Sequence, residues 1–177
     1  LGKHLCKRLE QLGFEIIKQP RGLHPLPDEF DYFFHLAAHG NHIHQKDIHE
    51  TYETNVDLLW KYLRISRDCK FKLFINFSTS SVTLPYQTVY SSTKAAGEKL
   101  CIGMMSVYGK PIVNIRPFSV YGEGEADFRL IPTIIINSMV GNKVKLDPHP
   151  HHDWIYIDDF LDALFMVIKA KEIFNTV

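Results

Sequence analysis

Phe71-Lys72-Leu73-Phe74-Ile75-Asn76-Phe77, followed without a break by Ser78-Thr79-Ser80-Ser81, is the stretch on which the fold turns. So short and so apolar a run reads as a strand covered on both faces, the pattern of a parallel sheet. Four hydroxyl residues come directly after it, at the carboxyl end of the strand, where a parallel sheet receives its ligands. Upstream, Tyr52, Val56, Leu59, Leu63 and Ile65 recur at three- and four-residue intervals and predict a helix from Ile48 to about Cys69. Before it lies a second near-continuous apolar run, Phe30 to Ala38, closed by the small residues Ala37 and Ala38. Downstream, beyond Pro85, a helix is expected from about Val89 to Val107, then a strand from Pro111 to Ile115. Strands alternating with long helices imply right-handed crossovers and an α/β fold, a doubly wound parallel sheet of Rossmann type.

The flanks continue the pattern. Leu5, Leu9 and Leu12 share a face of a helix starting at Gly2, which Gly13 stops before an expected strand, Glu15 to Lys18. Towards the other end, helices are expected near Phe128 to Val140 and Asp158 to Ala170, the second capped by Asp158, with a short strand at Trp154 to Ile157 between them. There is no internal repeat, low-complexity stretch or linker. The expected division is a sheet core over 1–122, then 123–177 as part of a small C-terminal region plus a returning strand and helix.

Composition narrows the function. With 177 residues, 45% hydrophobic, the chain suits one globular unit with a proper core. Lys plus Arg equals Asp plus Glu at 20 each, so no global basic field draws it to nucleic acid or to an acidic membrane surface. Cys6, Cys69 and Cys101 are scattered and in no CxxC spacing, which argues against a disulfide framework and a thiolate metal site and favours a reducing, cytoplasmic setting. The longest apolar run, Leu130 to Val140, is too short and too broken to span a membrane, and the first residues read as a helix rather than a signal peptide. Ten histidines, among them His39, His42, His44, His149, His151 and His152, lack carboxylate or thiolate partners at ligand spacing, so no metal site is expected.

Tyr90 and Lys94 are four apart on the third helix and project from the same face. A phenol is a poor proton acceptor at neutral pH, but a neighbouring ammonium favours its anion and brings it into acid/base range. The spacing alone is common. Its context is the Ser78–Ser81 cluster, whose hydroxyls can donate to a substrate oxygen handled by Tyr90.

With these stand further segments in order: His35-Leu36-Ala37-Ala38, Thr54-Asn55-Val56, Ser78-Thr79-Ser80-Ser81-Val82, Tyr90-Ser-Ser-Thr-Lys94 with Ala95-Ala96-Gly97-Glu98, Arg116 through Gly122 (RPFSVYG), and His152 through Asp159 (HDWIYIDD). Together they resemble the signature segments of the extended short-chain dehydrogenase/reductases, and within them the nucleotide-sugar epimerase/dehydratase branch. The resemblance runs from Gly2 to Asn175. It implies Tyr90 as acid/base, Lys94 as its ribose-binding partner, and Thr79 as the catalytic hydroxyl, with Ser80 as the alternative one register along. It implies that Gly2, Ala37, Ala38, Asn55, Ser78, Pro117 and Phe118 lie along an NAD or NADP cofactor, with Tyr90 and Lys94. Ser81, Ser119, Arg129 and His152 would meet the nucleotide-linked sugar. The helices of 48–69 and 89–107 would form a homodimer interface.

The chain departs from that pattern in places. Of the family's Gly-x-x-Gly-x-x-Gly turn only Gly2 is present, so the sequence is expected to begin inside the motif, and Ile173-Phe174-Asn175 to open a further strand. Lys18-Gln19-Pro20-Arg21 stands where NAD-preferring members carry an acid, which leaves NADP open. Ser80 and Ser81 follow Thr79 where dehydratases carry an acid, which favours an epimerase or ketoreductase. His152 replaces a diphosphate-binding Arg, and a neutral imidazole binds phosphate more weakly. A binding module that has kept the fold without catalysis is the reading from another class.

Overall fold

The computed structural model describes residues 1–42, 44–147 and 153–170. Three strands, β1 (Glu29–His35), β2 (Lys70–Phe77) and β3 (Ile112–Ile115), form a parallel sheet in the order β1-β2-β3. A second parallel pair, β4 (Ser119–Tyr121) with β5 (Trp154–Tyr156), stands beside it. The crossover from β1 to β2 is one helical run, α2 (Ile48–Tyr52), a π turn (Glu53–Asp57) and α3 (Leu58–Ser66). Asp47 starts it by accepting from the amides of His49 and Glu50 at 2.8 and 3.0 Å. The crossover from β2 to β3 is α4 (Val89–Tyr108), which a Thr88–Ser91 capping box opens and a left-handed Gly109 (φ 61°) closes.

The alternation within β2 makes the layers. Leu73, Ile75 and Phe77 pack on one face with Leu5 and Leu9 of α1 (Gly2–Gln11) and with Phe160, Leu161 and Leu164 of α6 (Ile157–Lys169). Phe74 points the other way, into Leu59 and Leu63 of α3 and Cys101 and Met104 of α4. The central strand is therefore sealed on both faces, as its apolar run requires. Full burial of each large apolar side chain stabilises by roughly 1.5–3 kcal/mol, so these two clusters outweigh exposed ion pairs such as Arg8 with Asp158 and Asp162. No residue of α5 (Leu130–Met139) is fully buried.

Two expectations are corrected. Glu15 to Lys18 joins no ladder among the described residues, and both it and β1 line a cleft of about 1020 Å³. Just before it, Phe14 lies edge-on to Tyr32 at 5.8 Å. Asp158 does not cap α6: Tyr156 holds that position, and Asp158 lies inside the first turn, where its charge suits the helix dipole and pairs with Arg8.

Candidate active site

The carboxyl ends of β1, β2 and β3 converge on the first half of α4. Tyr90 lies in its first turn and Lys94 one turn on, buried to 3% exposure. Burial pushes the Lys94 ammonium down to about 8, against the opposing pull of Cys101 and Glu98. Burial raises the Tyr90 phenol, and the Thr79 hydroxyl and Arg129 pull it back.

Thr79 reaches Tyr90 because of the turn after β2. Its hydroxyl accepts from the Ser81 amide at 3.3 Å and so starts a short 3-10 turn, Ser80–Thr83. Ser80 is turned to a different use: its amide donates to the Pro117 carbonyl at 3.1 Å and ties this turn to the segment after β3. Of the two hydroxyls considered from the sequence, Thr79 is the one against Tyr90. Ser78 is buried, its amide donating to Ile115 at 2.7 Å and its hydroxyl beside Glu98. Ser81 shares with Tyr90 a smaller cleft of about 380 Å³, closed by Gly40, Gln45 and Thr88.

The proposed cofactor residues fall into two groups. Gly2, Ala37 and Ala38 line the 1020 Å³ cleft together with Lys18 and Arg21. Asn55 lies underneath, 1% exposed, its amide oxygen accepting from the His39 amide and its nitrogen donating to the His39 carbonyl and Thr93, each at 2.9 Å. It shapes the loop after β1 and has nothing left to offer a ligand directly. Pro117 and the exposed Phe118 follow β3, and Ser119 opens β4 with its amide on the Asp153 carbonyl at 3.1 Å. Arg129, at the start of α5, is held by Glu125 at 3.2 Å and extends its field to Tyr90. His152 lies outside the described residues.

The sequence reading missed the pairing beneath these groups. Glu98, one turn beyond Lys94, takes a two-point fork from Arg116, whose Nε and Nη2 donate at 2.8 and 2.6 Å. Burial raises the Glu98 carboxyl, but Arg116, the Ser78 hydroxyl and Lys94 together hold it below its usual range. A Lys-x3-Glu spacing was the available signal. Nearby, His35, Asn76 and Asn114 sit side by side across the three strands, and the Asn76 amide donates to Asn114 at 2.8 Å. Burial, then Lys94, pushes His35 down to about 3. Among the described residues no group of three or more His, Cys, Asp or Glu stands together to hold a metal ion. His39 instead bonds Thr51 and Glu50, and His42 and His44 lie edge-on to Phe128. No helix among them is long and apolar enough to cross a membrane.

A parallel sheet with a Tyr-x3-Lys helix and a hydroxyl turn at its strand ends defines an extended short-chain dehydrogenase/reductase of Rossmann type. More narrowly, the sequence matches the NAD dependent epimerase/dehydratase family over residues 1–176, and the chain belongs to that family. It is 28% identical over 190 residues to the uncharacterized UDP-glucose epimerase YtcB of Bacillus subtilis strain 168, an alignment covering 94% of this chain and 58% of that protein. It is 31% identical over 110 residues to the dTDP-glucose 4,6-dehydratase of Salmonella typhimurium strain LT2, covering 54% of this chain and 30% of that one. A similar solved structure is a Tyr-to-Phe mutant of UDP-glucuronic acid 4-epimerase from Bacillus cereus, in complex with UDP-4-deoxy-4-fluoro-glucuronic acid and NAD. It has TM-score 0.69 and 26% identity, covering 78% of this chain and 49% of that one. The chain thus spans between about half and three fifths of the length of the first relative and of that structure.

Proposed function

We propose that this chain carries the acid/base centre of an NAD-dependent nucleotide-sugar epimerase, over a cofactor-binding core of 1–122 and part of a substrate region from 123 on. One observation carries the reading: Thr79 stands against the Tyr90 hydroxyl, with a buried Lys94 one turn away. The chain's residues fit a dinucleotide. Gly2 lines the 1020 Å³ cleft, and there α1 opens with no acidic residue in its first turn and nothing within 4 Å of the position a Cβ would take. The small residues Ala37 and Ala38 line it too. NAD bound there would supply the hydride acceptor and donor for the sugar carbon. Tyr90, in its anionic form, takes the proton from the sugar hydroxyl and, as the phenol so formed, later gives it back. Thr79 donates to the same oxygen as charge develops there, and Lys94 supplies a fixed positive charge. Arg129 adds a second cation on the substrate side and offsets the burial of Tyr90.

An epimerase is favoured over a 4,6-dehydratase because Thr79 is followed by Ser80 and Ser81 rather than a carboxylic acid for water elimination. Lys18 and Arg21, which line the larger cleft, keep a 2′-phosphate within the cofactor reading. A homodimer and a cytoplasmic setting belong to the same proposal. Ile48, Tyr52 and Trp60 on one helical run and Ile102, Val107 and Tyr108 on α4 leave apolar surface exposed where the two helices would meet a second copy.

Replacing Tyr90 with Phe tests the reading. Turnover of the nucleotide sugar should fall by a factor on the order of 10² to 10⁴, while binding of NAD, read by fluorescence or calorimetry, stays within about twofold. Retained turnover would remove Tyr90 from the mechanism.

A further inference from the structure

The loop from Gln19 to Asp28 belongs to no helix or strand, yet it lines the larger cleft with Arg21 and is pinned to the core. The Tyr62 hydroxyl, on α3, donates to the Gly22 carbonyl at 3.1 Å and accepts from the His24 amide at 3.2 Å. Inside the loop the Gln19 amide donates to the Pro25 carbonyl at 3.4 Å, and Gly22 turns at φ 99°, a conformation glycine adopts without strain. Tyr62 itself is held by the sheet. It is 3% exposed, with its ring 5.0 Å from that of Phe33 and 6.0 Å from that of His35, at the carboxyl end of β1. Core packing needs only that ring. Both partners of the hydroxyl lie in the loop, so the hydroxyl is a fixed point from which the loop hangs.

We propose that Tyr62 is a positioning residue for cofactor choice: its clasp on Gly22 and His24 sets Arg21 in the cleft to receive the 2′-phosphate of NADP. The proposal rests on the reading that the larger cleft takes the dinucleotide. The strand end beside Tyr62 leads to Ala37 and Ala38, the side on which a parallel sheet receives its ligands. Arg21 stands directly before the clasped Gly22 and is exposed. Among the described residues it enters no ion pair, whereas Lys18, which also lines the cleft, is shared with Glu10 at 3.4 Å. Two of the acids lining the cleft are already taken, Asp31 by Lys72 at 2.6 Å and Glu50 by His39 at 3.2 Å. Glu29 is at the opposite end of β1 from His35, and Glu15 precedes Lys18 by a stretch of extended chain. A guanidinium meets a phosphate with a planar two-point fork, and that geometry has value only where the backbone carrying it is held still.

Calorimetric titration of the whole protein with NADP and with NAD tests this without turnover. Arg21→Gln should weaken NADP by about tenfold or more, and Tyr62→Phe, which keeps the ring and removes the clasp, by about three- to tenfold. NAD lacks the 2′-phosphate, so its affinity should stay within about twofold in both variants. The double variant should bind NADP as Arg21→Gln does, within about twofold, because the clasp acts through the guanidinium. Equal weakening of NAD and NADP by Tyr62→Phe would make Tyr62 a packing residue only and overturn the proposal. An unchanged NADP-to-NAD ratio in Arg21→Gln would overturn it too, and since Arg21 is exposed that variant leaves the core intact whether or not Tyr62→Phe folds. Wild-type protein that binds neither dinucleotide would remove the cofactor reading along with the proposal, whereas binding with a ratio that no variant moves would remove the proposal alone.

Discussion

Replacing Lys94 with Met should make the protein more stable at neutral pH. In the fold the ammonium is brought from its ordinary 10.5 to about 8, and at about 1.4 kcal/mol per pH unit keeping it charged at pH 7 costs roughly 3 kcal/mol. Methionine fills the same unbranched volume without the charge. Glu98 keeps its fork from Arg116, so no buried anion is orphaned. The expected gain at pH 7 is thus about 2 to 3 kcal/mol, read as the difference in urea unfolding free energy. The sign with pH follows from the protons. Between about 8 and 10.5 the unfolded chain holds the Lys94 proton and the folded one releases it, so wild-type stability rises with pH through that window. The advantage of the variant should shrink to below about 1 kcal/mol by roughly pH 10. A variant less stable at pH 7, or an advantage that stays constant across the window, would refute the account of Lys94 as a buried charge that the fold holds at a cost.

Two further outcomes follow from the same packing. His35 is held neutral down to about 3, so as pH falls below its ordinary 6.5 the unfolded chain gains a proton that the folded chain refuses, and wild-type stability drops. His35→Leu should flatten that acid limb in thermal melts between about pH 6 and pH 4, and an unchanged slope would exclude His35 as its source. On α4, an Ala Cβ at position 97 would meet Leu59 Cδ2 at 2.9 Å and the Asn55 carbonyl at 3.4 Å, whereas at Gly103 it would meet nothing within 4 Å. Gly103→Ala should stabilise by about 0.5–1 kcal/mol, whereas overpacking at Gly97 costs about 1–3 kcal/mol and cancels or reverses that gain. Gly97→Ala matching Gly103→Ala in urea midpoint would show that α4 has slack against the π turn.

The local sequence determined the secondary elements and the chemistry of individual positions. The apolar run before Ser78, the helical spacing from Ile48 and the helix bearing Tyr90 and Lys94 are short-range patterns, and the structure reproduces them to within a few residues. Tertiary structure decided which of these residues meet. Thr79 rather than Ser80 touches Tyr90 because the turn after β2 is pinned to Pro117, 37 residues further on than Ser80. The extended run Glu15 to Lys18 has the composition of a strand, but pairing needs a neighbour at ladder distance, and none of the described strands stands at that distance. The spacing places Tyr90 and Lys94 on one helical face, but Thr79 and Arg129, which pull the buried phenol down, come from other elements, and Glu98, one turn beyond Lys94, is held by Arg116, 18 residues away. Periodicity fixes which way a side chain points along its own element; which charge stands opposite depends on strand register and helix crossing, and these exist only once the layers have packed.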